Sequence, residues 1–304
     1  LGLDLHPHVV SAQRETLEQM RRHGVLIKFV VYDLLCVLMP HFFDDALVTA
    51  FRQWLEVVAA SDEAVCISKA VADELTDWVD RNDPKRSRPL RISWFHLGAD
   101  IENSSPSRGL PPDAEEVLRT ATGRVNFLMV GTLEPRKGHA QALAAFEVLW
   151  EEGSTANLII VGKEGWKTGE LAERLRSHPE MNKRLFWLEG ISDEYLERIY
   201  AASTCLIAAS EGEGFGLPLI EAAQRHLPII ARDIPVFREV AGKHAYYFEG
   251  REPEALAKSV NQWLGLYDSN TYPQSSDIPW MTWSQSVEQL LSIILPVNQT
   301  VAMK

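Results

Sequence analysis

Two glutamates, Glu213 and Glu221, stand eight residues apart in the stretch EGEGFGLPLIEAAQRHLPII (211–230). Between them a Gly-Phe-Gly turn runs into a helix, and Pro218 suits that helix's first turn because its missing N–H costs little there. Gly212, Gly214 and Gly216 let the backbone turn tightly and approach a ligand closely. The free N–H groups near Phe215, Gly216 and Leu217 would then face an anion. Carboxylates beside an anion site make sense if they serve an uncharged part of the same ligand. A carboxylate accepts one hydrogen bond on each oxygen, which matches a diol. Glu213, in the loop, suits the hydroxyls of a sugar, and Glu221, about one turn into the helix, suits those of a ribose. The plainer alternative is that both only cap and solubilise the helix.

The complementary charge lies in GTLEPRKGH (131–139), at the carboxyl end of one strand and the start of the next helix. Open parallel sheets bind ligands at such places. Arg136 and Lys137, just before Gly138, would set cations beside free backbone N–H groups, a clamp for a diphosphate. This is not a Walker A loop, since no Ser or Thr follows a Gly-Lys pair. In VGKEGWKTG (161–169), Gly162 permits close approach and Lys163 or Lys167 could meet an anion, although a solvated loop would read the same. A dinucleotide-dependent oxidoreductase is the rival reading of the glycine-rich turn, because Asp233 ends the next strand at a suitable distance. Against it, the third glycine of the fingerprint would fall on Leu219, and the loop follows the fourth strand of its domain rather than the first.

Short apolar runs alternating with amphipathic stretches position these loops, the pattern of helices covering parallel sheets. Strands are expected at 25–33, 63–68 and 91–100, with helices at 45–61 and at 69–79, the latter capped by Ser68. A Ser-, Pro- and Gly-rich linker follows at 102–113. Beyond it the alternation restarts, with strands at 126–131, 157–162, 184–190, 205–210 and 228–233. Helices are expected at 139–150, 169–178 and 193–203, and a closing one at 281–295. The second half alone supplies about five strand–helix pairs, enough for a doubly wound domain. We divide the chain into residues 1–105, an acceptor-side domain with an incomplete set of strands, 106–280, a nucleotide-sugar domain, and 281–304, a helix returning to the first domain.

Composition bounds the partners. At 304 residues the chain suggests about two domains. Its net charge of −12, mixed along the length, disfavours nucleic acid, which calls for a basic stripe. Nothing approaches the roughly 20 apolar residues of a membrane span. Cys36, Cys66 and Cys205 stand singly, without a CxxC pair, which fits a reducing cytoplasm. No clustered metal ligands are visible. The basic loop RNDPKRSR (81–88) could touch an anionic membrane or a lipid-linked acceptor, or simply be solvated. The opening Leu suggests a trimmed or partial chain.

Taken together, these motifs resemble the retaining glycosyltransferases of family 4, of GT-B fold, with two facing Rossmann-like domains. Glu213 and Glu221 match the family's Glu-x7-Glu signature, GTLEPRKG its strand-turn element, and DEYLERIYAAS the helix before the donor strand. VVYDLLCVLMPHFF, VCISKAVADEL and FHLGAD resemble segments of the family's first domain, and MTWSQSV its C-terminal helix. The resemblance implies a hexosyl transfer from a nucleotide sugar to a glycan or lipid-linked glycan in surface polysaccharide synthesis, in the cytoplasm, where it could also meet the inner face of the membrane. GDP-mannose is the first expectation and a UDP- or dTDP-sugar the second. The donor is a substrate; no cofactor or metal is implied. Arg136 and Lys137 would neutralise the diphosphate, with Gly131, Thr132 and Gly162 forming the adjoining backbone. Glu213, Gly214, Phe215, Gly216 and Leu217 would position the donor sugar, Glu221 the ribose, and Gly190 with Ile191 the base. Asp33 would meet the acceptor.

Three departures from the family pattern bear on these roles. Thr132 replaces a common Arg, Tyr32 replaces a common His, and the glycine-rich acceptor loop that usually opens the first domain is absent. That last departure keeps a catalytically silent scaffold module as the alternative. Oligomeric state leaves no signal in the sequence.

Overall fold

The structure, a computed structural model, describes residues 1–3, 5–100, 109–112 and 114–295. It forms two compact units. One holds the residues up to Asp100, the tripeptide Glu213–Phe215 and the stretch from Trp280. The other holds the described residues from Gly109 to Gly212 and from Gly216 to Pro279. Most of the expected linker, 102–113, lies outside the described residues.

In the first unit, strands β1 (Lys28–Val31), β2 (Glu63–Cys66) and β3 (Arg91–Trp94) form a parallel sheet in that order, with Val30 opposite Val65 and Val65 opposite Ser93. Gly2 bridges to Phe29 at the β1 edge. Two short helices, α1 (Pro7–Ala12) and α2 (Arg14–Arg22), precede β1; α3 (Leu35–Leu38), α4 (Asp45–Ala59) and α5 (Lys69–Asn82) follow among the strands. Phe51, Trp54, Leu55 and Val58 recur on one face of α4, as the helical period requires, and all four are buried. Trp54 meets Phe29 edge-on at 6.5 Å and Phe51 at 5.0 Å. Ser68 caps α5 by accepting from Val71 N at 3.2 Å, as its sequence predicts. Buried Glu63 is satisfied from both neighbouring strands, by Lys28 and Arg91 at 2.7 Å each and by Ser93 at 3.1 Å. The expected third strand is shorter than 91–100, ending at Trp94.

The closing helix, Trp283–Ile294, belongs to this unit. A capping box of Thr282 and Gln285 starts it. A Cβ on Gly98 would run into the Trp283 backbone, so glycine sets how closely the helix approaches. Ser286 Oγ donates to His96 O at 2.7 Å, and Lys28 Nζ to Ile294 O at 2.8 Å.

The second unit has six parallel strands: β4 (Asn126–Val130), β5 (Asn157–Val161), β6 (Leu185–Leu188), β7 (Cys205–Ala208), β8 (Ile229–Arg232) and β9 (Tyr246–Phe248). Their order, β6-β5-β4-β7-β8-β9, is that of a doubly wound sheet. Helices α6 (Ala114–Ala121), α7 (His139–Glu151), α8 (Gly169–Arg176), α9 (Asp193–Ala202), α10 (Leu217–Gln224), α11 (Pro235–Ala241) and α12 (Pro253–Asp268) connect and cover it. Strands β4, β5, β7 and β8 are almost wholly buried, which is why they read as mainly apolar runs, while β6 and β9 are buried in part. Phe127 packs edge-on against Phe146 at 5.4 Å and Trp263 at 5.6 Å. Asn157 Nδ2 donates to Asn126 Oδ1 at 2.7 Å, and Asn126 Nδ2 reaches Ala202 O at 2.7 Å. This buried amide pair ties β4 and β5 to the end of α9. Trp150 is buried and Trp187 partly so, whereas Trp166 is exposed.

Candidate active site

Strand order reverses between β4 and β7, so the loops leaving these strands flank the position where such sheets open a ligand crevice. After β4 the chain turns through Gly131 (φ 141°), forms a tight turn over Pro135–Lys137 and enters α7 through Gly138 (φ 74°). The Lys137 side chain folds back over the strand end. Its Nζ lies 3.7 Å from where a Cβ on Gly131 would stand. A Cβ on Gly138 would strike Ala209 O, so only glycine lets the two loops touch here.

Arg136 does more than carry charge. Its Nη1 donates to Gly212 O at 2.7 Å, its Nη2 meets Glu134 Oε2 at 2.7 Å, and its own carbonyl accepts from Glu211 N at 2.8 Å. The side chain is only 12% exposed. Arg136 therefore stitches the β4 loop to the β7 loop, while Lys137 brings its charge to the Gly131 turn. The β5 loop is joined on the other side: Gly131 N donates to Val161 O at 2.9 Å and Leu133 N to Lys163 O at 2.8 Å. A Cβ on Gly162 would strike Gly131 O, and one on Gly165 would press on Thr132. Gly190 (φ 60°) lies beside Lys163, and half-buried Ile191 precedes Ser192, which caps α9 by accepting from Tyr195 N at 3.1 Å.

Helix α10 begins at Gly216 (φ 99°), with Leu217 and Pro218 in its first turn. Glu221, one turn on, accepts from the Tyr200 hydroxyl at 2.8 Å through Oε2. Burial, then the Glu221 charge and this hydrogen bond, push the Tyr200 pKa well up, so its proton stays on the phenol. Arg225 lies over the Tyr200 ring at 4.5 Å and donates to Glu221 O at 2.7 Å. The sequence reading did not single out Tyr200. Its only signal was a tyrosine on an otherwise apolar helix face, whose hydroxyl must find a partner once buried. Asp233, the acidic residue of the rival dinucleotide reading, is instead held by Arg238 at 2.6 Å.

The other candidates lie in the first unit. Ser68 Oγ donates to Gly214 O at 2.8 Å, and a Cβ on Gly214 would strike Tyr32 O. Phe215 is buried with its ring 5.2 Å from that of His96, and half-buried Glu213 opens this tripeptide. Asp33 Oδ1 accepts from Leu35 N at 3.0 Å, so it starts α3 as well as facing solvent in part. Nearby, burial and then the Asp33 charge raise the Glu74 carboxyl to about 7. Burial and the Glu74 charge also push the Cys66 thiol up. Tyr32, in place of the family's histidine, donates its hydroxyl to Leu3 O at 2.8 Å.

Among the described residues no group of three or more His, Cys, Asp or Glu is placed to hold a metal ion, and no helix is long and apolar enough to cross a membrane.

Comparison with known proteins places these features in a family. The chain is 49% identical over 294 residues to the serotype-specific mannosyltransferase WbdA of Escherichia coli, covering 96% of this chain and 36% of that protein. The chain thus spans about a third of that relative's length. Among solved structures, sucrose-phosphate synthase from Thermosynechococcus elongatus matches with a TM-score of 0.69 at 18% identity, over 93% of this chain and 71% of that one. Anabaena Alr3699/HepE, solved with UDP and glucose, also matches at 0.69, with 15% identity, over 93% and 75%. Both are of GT-B fold, and the α/β class with parallel sheets expected from the sequence is the one observed. Residues 112–274, which carry the β4, β5 and β7 loops with α10, match the model of glycosyl transferases group 1, and the chain belongs to that family.

Proposed function

We propose that the chain is the donor-binding and transfer portion of a hexosyltransferase that moves mannose from GDP-mannose, with retention, to a glycan or lipid-linked glycan acceptor in surface polysaccharide synthesis. The observation that carries this reading is the Lys137 ammonium folded over Gly131 at the strand-order reversal. A cation there suits the diphosphate of a departing nucleotide, and electrostatic stabilisation of a leaving group is usually the largest contribution to such a transfer. Arg136 holds the loop shape and keeps a positive field at its base. Backbone N–H groups at Gly216 and Leu217 supply further donors. Glu221, with Oε2 taken by Tyr200, turns its remaining lone pairs to a ribose, and Gly190 with Ile191 seats the base.

In the transfer itself, the bond from the anomeric carbon to the diphosphate oxygen breaks as the bond to the acceptor oxygen forms on the same face. The acceptor's proton passes to the departing phosphate oxygen, so no nucleophile on the protein is needed. Glu213 orients the donor sugar and Asp33 the acceptor. Mannose is favoured by the kinship with a mannosyltransferase; GDP is the first choice of carrier from the resemblance of the sequence motifs, and HepE, solved with UDP, supplies the second choice.

A donor panel tests this. GDP-mannose, UDP-glucose and dTDP-rhamnose are each offered to the chain, and nucleoside diphosphate release is followed. GDP release from GDP-mannose is expected, reduced about a hundredfold or more by Lys137→Ala. Turnover indifferent to Lys137→Ala would overturn the mechanism. Release from UDP-glucose or dTDP-rhamnose alone would reassign the donor.

A further inference from the structure

Helices α2, α4 and α5 of the first unit, with the turn that follows α5, enclose a trough of about 420 Å³. That volume falls within the range of small-molecule sites, about 300–1,000 Å³. The trough is set apart from the acceptor side of the unit. Helix α5 runs back from the end of β2 toward the start of β3, so its last turn lies where the strands begin. Asp33 stands just past the other end of β1, the end at which ligands of parallel sheets gather.

Half-buried Trp78 packs on the core of the first unit and also lines the trough. The remaining walls are mostly planar and polar. Arg52 and Glu56, one turn apart, come from α4, and Asn82, one turn on from Trp78, ends α5. Asp83 follows in the left-handed conformation (φ 38°). Arg14 Nη2 meets Glu56 Oε2 at 2.8 Å, which orients that carboxylate. Asn82 Nδ2 donates to Trp78 O at 2.7 Å, which leaves its Oδ1 to accept from a ligand. Arg52 and Asp83 are exposed and make no ion pair among the described residues.

The mixture of signs narrows the choice of ligand. Three cations, Arg14, Arg52 and Lys85, share the trough with two carboxylates, Glu56 and Asp83. A phosphate would be repelled by both carboxylates, and an apolar peptide would desolvate all of these charges without replacing their hydrogen bonds. A sugar suits both parts of the wall. Each hydroxyl donates and accepts, so carboxylate, guanidinium and amide all find a match. The C–H face of the ring is apolar and slightly positive, which suits the negative face of an indole. We infer that this trough is an auxiliary site for a neutral oligosaccharide, holding a stretch of glycan away from the reacting centre. Such tethering raises the local concentration of an acceptor end. The ligand class follows from the trough itself; only the choice of mannose as first probe rests on the function proposed above.

The chain, carrying isotope-labelled tryptophan, is titrated without donor against α-mannotetraose and, separately, maltotetraose, and the indole N–H signals are followed by NMR. The Trp78 signal is identified by its loss in Trp78→Phe. The expected result is saturable movement of that signal with mannotetraose. The double variant Arg52→Ala, Asn82→Ala should weaken binding about 25-fold, roughly fivefold for each hydrogen-bonding side chain removed. Its thermal midpoint and its donor turnover should match the parent's. Asp33→Ala, changed on the acceptor side, should titrate as the parent does. Movement with maltotetraose alone would uphold the site and remove mannose as its sugar. No movement with either tetrasaccharide, equal affinity in the double variant, or loss of the response in Asp33→Ala would overturn the inference. So would a Trp78 signal that answers to millimolar inorganic phosphate, at constant ionic strength, in place of either sugar.

Discussion

The Tyr200 hydroxyl donates to Oε2 of Glu221 at 2.8 Å, from a ring that is itself buried under the Arg225 guanidinium. Glu221 is therefore presented in one orientation rather than free to sample rotamers. A carboxylate held this way keeps one oxygen and its in-plane directions for a ligand.

If Tyr200 positions Glu221 for the nucleotide, Tyr200→Phe should raise the donor KM by about fivefold, the equivalent of one ordinary hydrogen bond, and leave kcat within about twofold. Glu221→Ala should raise KM further. Steady-state kinetics on both variants check this. A fall in kcat at constant KM would assign Tyr200 and Glu221 to the chemical step instead.

If Glu213 orients the donor sugar as proposed, its bonding tightens as the bond from the anomeric carbon to the diphosphate breaks. Glu213→Gln should then lower kcat by about a hundredfold with little change in nucleotide affinity. Equal effects on both parameters from Glu213→Gln and Glu221→Ala would show the division of roles to be wrong. Product stereochemistry, read by NMR on the first turnovers, should show the donor's own anomeric configuration.

Glu74 gives a pH signature independent of any ligand. Its carboxyl sits at about 7, against an ordinary 4.5, through burial and then the negative charge of Asp33. Its Oε2 is buried with no hydrogen-bond partner among the described residues. Between these two values the folded state keeps a proton that the unfolded chain releases. Stability must therefore fall as pH rises from about 4.5 to about 7, with the full penalty present above that. Glu74→Gln should flatten this part of the profile and raise stability near pH 8 by up to about 3 kcal/mol, with little change near pH 4. Urea unfolding of both proteins across this range checks it; parallel profiles would contradict the assignment.

Strands β4 to β8 were legible as short buried apolar runs, some closed by glycine as in NFLMVG and NLIIVG, whereas β9, three residues with two half-buried tyrosines, was not expected. Helices such as α2 were not. RETLEQMRR offers only Leu17 and Met20 as apolar positions, and no residue of α2 is buried. Residues of the two switch-point loops could be picked out from glycines and cations alone, but what each touches could not. Arg136 looked like a second phosphate cation, and its bonds to Glu134 and to Gly212, 76 residues on, depend on how β4 and β7 come together. Likewise, the grouping of Gly214 with Ser68 spans 146 residues, a separation that local patterns do not encode.

The most direct test of the account is calorimetric titration of the chain with GDP, UDP and dTDP, with Lys137→Ala alongside. The account predicts that GDP binds most tightly and that Lys137→Ala weakens it by tenfold or more, about 1.4 kcal/mol or greater. Binding of none of the three, or equal binding by the parent and Lys137→Ala, would contradict it.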